Sequence, residues 1–281
     1  VKRQQLLLIS GGLVILTLLF FFGKTTSSKK EIPAMPAQQA NQQKSISFND
    51  ILASARQKIS KEQNDRLIAI ENAVTRGDVK DQKIRIYHQL AGFWKDSAAI
   101  FEPYAYYTGE AAKLENSEKS LNFAARLFVD NLLAASDPTM QNWLATNGKD
   151  LYDRSLAINP NNDSAKIAIG ACYMFGNISD NPMQGILTVR EIAQKNPDNL
   201  YAHWILGLGG KKSGQYDKAI EHFTRIIEKH PTDVEVVFQL AESNELKGDK
   251  AAAVKWYELS KKLVDNAGIK AELDKRIQNL K

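Results

Sequence analysis

The amino-acid sequence predicts an all-α protein, a stack of antiparallel helical hairpins preceded by one transmembrane helix and a flexible linker. Three observations predict it. From Ser47 onward apolar residues recur at helical spacing, with no credible alternating strand. A set of glycine, small and large residues repeats at the interval that separates Pro197 from Pro231. Residues 6–22 form an apolar run without a single charge.

Length and composition agree with this reading. The chain has 281 residues, 43% hydrophobic and 9% aromatic, enough for one elongated domain or two small ones. Cys172 is its single cysteine, which excludes an intramolecular disulfide and a cysteine-based structural zinc site. Of the net charge of +5, all but one unit belongs to the N-terminus. There Lys2, Arg3, Lys24, Lys29 and Lys30 stand against Glu31, and the rest of the chain is nearly balanced. Without a basic face on the folded part, phosphate neutralisation has little to work with, and no nucleic-acid partner is expected.

Residues 1–23 read as a signal-anchor. The apolar run is long enough to cross a bilayer core when the flanking lysines snorkel. A cleaved signal peptide needs small residues before the cut, and the run ends instead on Phe21, Phe22, Gly23 and Lys24. The basic flanks nearly tie in the positive-inside count, so a cytoplasmic repeat domain stays open. The basic start resembles a bacterial export signal, which places the folded part in the periplasm and the anchor in the inner membrane. Residues 24–46, rich in Gln, Ser, Ala and Pro, bury almost nothing and read as a disordered tether.

Helical hairpins fill residues 47–162. Phe48, Ile51, Leu52, Ala55 and Ile59 share one helix face, and Ser47 with Asp50 and Ser60 with Gln63 are capping boxes that open two helices. Gly77 and Asp78 end the second. Further helices are predicted over 79–94, 97–114, 118–135 and 139–158, the last opened by Asp137 as N-cap before Pro138. Tyr104, Tyr107, Ala111 and Leu114 follow helical spacing, which makes the aromatic cluster with Phe101 and Tyr106 core rather than a binding platform.

Residues 163–266 carry the repeat itself. In the unit beginning at Leu200, Leu206-Gly207, the turn residue Gly214, Ala219 and Phe223 precede Pro231. In the unit beginning at Val234 the same places hold Leu240-Ala241, Gly248, Ala253 and Tyr257. A third unit, from Asp163, has Ile169-Gly170, Tyr173, Gly185, Val189 and Pro197, and its loop at 176–181 is stretched. Two helices cross closely only where a small residue removes the side chain, and a large residue beside it fills the gap. Proline separates one hairpin from the next.

These residues resemble the tetratricopeptide repeat family, with YAHWILGLGGKKSGQYDKAIEHFTRIIEKHP close to its consensus. The usual Trp at place four is replaced by His203, Val237 or Lys166, a matter of local packing. The resemblance implies a right-handed α-solenoid, a polar capping helix over 267–281, and degenerate hairpins of the same kind before residue 163. It also implies that the first helix of each pair lines a concave groove. Carried onto this sequence, that groove holds Ile167, Ala168, Ala171, Met174 and Phe175, then Tyr201, Trp204, Leu208 and Lys211, then Glu235, Phe238, Gln239 and Glu242. One subclass of the family grips carboxylates with Lys and Asn at places five and nine. Here those places hold Ile167 and Ala171, Trp204 and Leu208, Phe238 and Glu242, so that clamp is missing and recognition is expected to be apolar. The protein's own helices, within 48–114, are the rival occupant.

Enzyme chemistry finds little support. The four histidines, His88, His203, His222 and His230, accompany no H-E-x-x-H, G-x-S-x-G, Walker or Rossmann pattern. His222 and His230 share a helix face roughly and read as surface residues, and Cys172 reads as a small buried residue. The glycines of Gly207, Gly209 and Gly210 sit in a predicted helix, where packing explains them better than phosphate binding. No cofactor, metal or small-molecule substrate is expected. The expected function is a membrane-tethered scaffold that binds a protein partner, in translocation or envelope protein biogenesis. The alternatives are a scaffold for envelope assembly or cytochrome c maturation, and a hydrolase whose site in helices 48–158 would use His88 or Glu102.

Overall fold

The computed structural model describes residues 46–76, 79–179 and 181–281. The expected anchor at 6–22, the tether up to residue 45 and the stop at Gly77-Asp78 lie outside them. Thirteen α-helices make up the described residues, with no strand among them. They are α1 (Phe48–Arg56), α2 (Lys61–Arg76), α3 (Lys80–Gly92), α4 (Phe101–Glu115), α5 (Glu118–Ala134), α6 (Pro138–Ile158), α7 (Asp163–Phe175), α8 (Met183–Lys195), α9 (Leu200–Lys212), α10 (Tyr216–Lys229), α11 (Val234–Lys247), α12 (Lys250–Leu263) and α13 (Ala267–Leu280). Among the described residues, no helix is long and apolar enough to cross a membrane.

Most of the helices start at a side-chain cap. Ser47 accepts from the Asp50 amide while the Asp50 carboxylate accepts from the Ser47 backbone. Ser60 and Gln63 make the same reciprocal pair, and the Asp137 side chain accepts from Met140 N at 2.7 Å ahead of Pro138. The regular hairpins share a further device: Asn162, Asn199 and Asp233, each two residues after a proline, accept from the amide three residues on. One such cap satisfies a donor that the helix leaves orphaned and is worth about 1 kcal/mol.

The predicted break between 94 and 97 lies elsewhere. The α3 helix widens into a π-turn over Phe93–Ser97, Ala99 turns with φ of 53°, and α4 begins at Phe101, four residues later than expected. The fully buried Trp94 lies in this turn and packs in the first cluster, and the Gln63 side-chain amide secures the end by donating to the Ser97 carbonyl at 2.7 Å.

Neighbouring helices pack in chain order from α2 onward, and α1 returns against α4. Contacts between α5 and α7 and between α7 and α9 show that the first helices of successive hairpins form one layer. The second helices, α8, α10 and α12, form the other. Small residues permit the crossings. A Cβ on Gly207 would sit 2.5 Å from the Phe223 ring, and Gly170 and Gly185 oppose each other so closely that a Cβ on Gly185 would lie 2.5 Å from the Gly170 carbonyl. Gly214 and Gly248 turn with φ of 75° and 90°, the left-handed conformation that glycine adopts without strain.

The interior is a series of clusters. One joins α1 to α4 around Leu67, Leu90 and Trp94. The largest reaches from α4 to α9 through Leu121, Phe128, Leu151 and Ile167. Two more follow, around Phe223 and Leu240 and around Tyr257 and Leu273. Tyr107 and Ala111 are buried as core, as the sequence predicts, and the half-buried Tyr106 stacks on Phe48.

Candidate functional site

The expected groove residues lie on α7, α9 and α11, and the structure treats the three helices differently. On α7, Ile167, Ala168 and Ala171 have no exposure at all and Phe175 has 8%. They do not line an open groove. The helices packed on α7 are α5, α6, α8 and α9, rather than the helices within 48–114 that the sequence suggested. Met174, half-buried, turns its methyl toward Gly209, where a Cβ would come within 2.2 Å. Lys212 lies over the Phe175 ring at 5.2 Å.

On α9 the face opens. Tyr201, Trp204 and Leu208 are all half-buried, packed on the core along one edge and solvated along the other. The Trp204 ring tilts against Phe223 with centroids 5.7 Å apart, which fixes the indole without enclosing it. Beside Tyr201 a cavity of about 310 Å³ is lined by Arg126, Asp130, Tyr152 and Ser164. Burial holds the Tyr201 and Tyr152 hydroxyls well above the usual phenol range. Both are therefore neutral hydroxyls, able to donate.

On α11 the expected apolar strip gives way to charge. Lys211 reaches across from α9 to bond the Gln239 side chain and Glu242, the latter at 2.8 Å. From α13, Arg276 bonds Glu242 at 3.1 Å and Glu245 at 2.9 Å. Its guanidinium also covers the rings of Phe238 at 5.7 Å and Tyr257 at 5.1 Å. Phe238 is thus roofed by the capping helix, and Gln239 and Glu242 are engaged inside the molecule. Glu235, at the start of α11, has its carboxyl pushed up by partial desolvation and by Asp233 and Asp130. Of the expected groove residues, Met174 on α7, Tyr201, Trp204 and Leu208 on α9, and Phe238 on α11 are the half-buried apolar ones, and α9 carries three of them in a row.

The histidines also differ from their expected placement. His203 is buried, and its Nε2 lies 2.9 Å from the Pro197 carbonyl. Its Nδ1 meets Nδ1 of His222 at 3.0 Å. His222 is therefore half-buried and paired, whereas His230 is exposed. Sequence reasoning missed the pair because its members sit on different helices. The one available signal was His203 standing where the repeat usually has Trp. His88 meets Glu115 at 2.6 Å on the surface. Cys172 is fully buried, and that burial pushes its thiol up to about 12, which suits a packing role.

No family model matches the sequence, and no curated protein is similar to it. Solved structures are. A tetratricopeptide repeat protein from Parabacteroides merdae ATCC 43184 is 14% identical, with 83% of this chain and 86% of that one aligned at a TM-score of 0.53. A MamA structure from Desulfovibrio magneticus RS-1 is 19% identical over 66% of this chain and 96% of that chain, at a TM-score of 0.44. YrrB, described as a tetratricopeptide protein with an unusual peptide-binding site, is 13% identical over 74% and 98%, at 0.43. The first of these likenesses shows that the described residues adopt a tetratricopeptide-type solenoid fold.

Proposed function

We propose that the protein is a scaffold that holds an amphipathic helix or extended segment of another protein against the α9 face. The observation that carries this is the half-buried row Tyr201, Trp204 and Leu208, packed on the core, with Tyr201 at one end lining a cavity of about 310 Å³. Aromatic anchors that lose little freedom on binding contribute most to association. The ionic web at Lys211, Glu242 and Arg276 bounds the row on one side and the α5–α6 cover bounds it on the other, which sets the length of segment it accepts. The solenoid fold itself supports partner binding, since such stacks present extended surfaces.

The test is site-specific photocrosslinking in native membranes. A photoreactive residue at Leu208 gives a discrete adduct that Trp204→Ala removes, and the same residue at the exposed Glu228 gives none. Equal adducts at both positions would overturn the site. The uncharged run at 6–22 and its basic flanks support tethering to a bacterial inner membrane with the repeats in the periplasm. Tethering would raise the local concentration of partners in that membrane, which suits protein translocation or envelope biogenesis. Protease added to spheroplasts should then digest the repeats, and full protection would reverse the orientation.

A further inference from the structure

A cleft bounded by α8, α9 and α10 plays no part in the face just described. Two cavities, of about 340 and 130 Å³, share Arg190, Leu206 and His222 along it. The larger lies within the lower range of small-molecule sites. Its charges do not balance. Arg190, Lys218 and Arg225 stand against one carboxylate, Glu221. Glu221 meets only Arg225, at 3.4 Å on the exposed flank, and Lys218 bonds the neutral Gln215 side chain. Arg190 is half-buried and has no ion pair or hydrogen bond among the described residues. A partly desolvated guanidinium with five donors and no acceptor matches the planar geometry of a carboxylate.

The histidine pair adds a place for a proton. The Pro197 carbonyl can only accept, so His203 carries its proton on Nε2 and presents a lone pair at Nδ1. His222 must then donate from Nδ1. This leaves Nε2 of His222 as the one ring nitrogen of the neutral pair still able to take up a proton. The groups facing it are Arg190 on α8, His203 on α9, and Glu221 and Arg225 on α10. Burial, His203 and the two arginines push its proton affinity down to about 4, with Glu221 acting the other way. A bound anion would offset the arginines and favour the proton, and by reciprocity the proton would tighten the anion's binding.

We infer that this cleft binds a small carboxylate with an apolar body, held by Arg190 over Leu206 and Ala193, and that binding is coupled to proton uptake at His222 Nε2. Benzoate is the probe, titrated calorimetrically into the full chain at about pH 5.5 and about pH 7.5, in buffers of different ionisation enthalpy. One saturable site is expected, tighter at the lower pH and with net proton uptake. Arg190→Gln weakens it at least about tenfold, in line with loss of a charged hydrogen-bond pair. His222→Gln abolishes the uptake and, with it, the tightening at the lower pH. Neutral benzamide does not bind, and inorganic phosphate does not compete. In the unaltered protein, imidazole nitrogen resonances should move at His222 Nε2 as benzoate is added, a readout that needs no variant. Absence of saturable binding up to about 10 mM, undiminished binding in Arg190→Gln, uptake retained in His222→Gln, or equal binding of benzamide or phosphate would each overturn the inference.

Discussion

The same repeat positions have different fates on two neighbouring helices of the inner layer. On α7, places five, six and nine are Ile167, Ala168 and Ala171, all without exposure. One hairpin later, places five and nine are Trp204 and Leu208, both half-buried. The local helix chemistry is alike, and the neighbours are not. The α5–α6 hairpin packs onto α7 and finishes its core, whereas α9 packs on α7, α8 and α10 and reaches α11 through the Lys211 side chain. In a stacked fold, position within the repeat says which way a residue points. What stands opposite decides whether it is core or surface.

The largest test of that contrast compares truncations. Ile167→Ala should cost about 3 kcal/mol, because the cavity it leaves is enclosed on all sides, while Leu208→Ala should cost about 1 kcal/mol. Denaturant unfolding of the two variants measures the difference, and equal losses would mean that α9 is as enclosed as α7.

Acid provides the next test, on the other side of α9. The folded His222 titrates near 4 and its unfolded counterpart near 6.5. Its contribution is thus fully present above the unfolded value and is lost as pH falls through that window. The loss should reach no more than about 2 kcal/mol for a half-buried ring, and His222→Gln should flatten this part of the stability profile.

The smallest effect belongs to the roof over Phe238. Arg276→Gln removes two ion pairs that are partly solvated, so stability should fall by about 1 kcal/mol or less. The same change uncovers the Phe238 ring, and a dye that reports apolar surface should bind the variant more than the parent. No increase would show that Phe238 is covered by something other than the guanidinium.

Much of the fold was legible because it is written locally. Capping pairs such as Ser60 with Gln63 lie three residues apart, and the pairing of Gly207 with Phe223 follows from a recurrence visible in the chain. The π-turn at Phe93–Ser97 was not legible, since its Trp94 packs with residues on other helices. The site was legible in part. Tyr201, Trp204 and Leu208 fall on the face that the repeat assigns them. The burial of Ile167 depends on α5 and α6, whose sequences carry no clear repeat to announce where they dock. His203 and His222 meet only because α9 and α10 cross where they do, and Arg190 joins them from a third helix.

The serial arrangement of the four clusters has a mechanical meaning. The last, around Tyr257 and Leu273, shares Trp256 with the one before it but otherwise stands by itself. A load pulling on Lys281 would peel α13 away first, tearing Arg276 from Glu242 and Glu245, before any strain reached the hairpins behind. Such a molecule yields in steps under tension, and the first step bares Phe238.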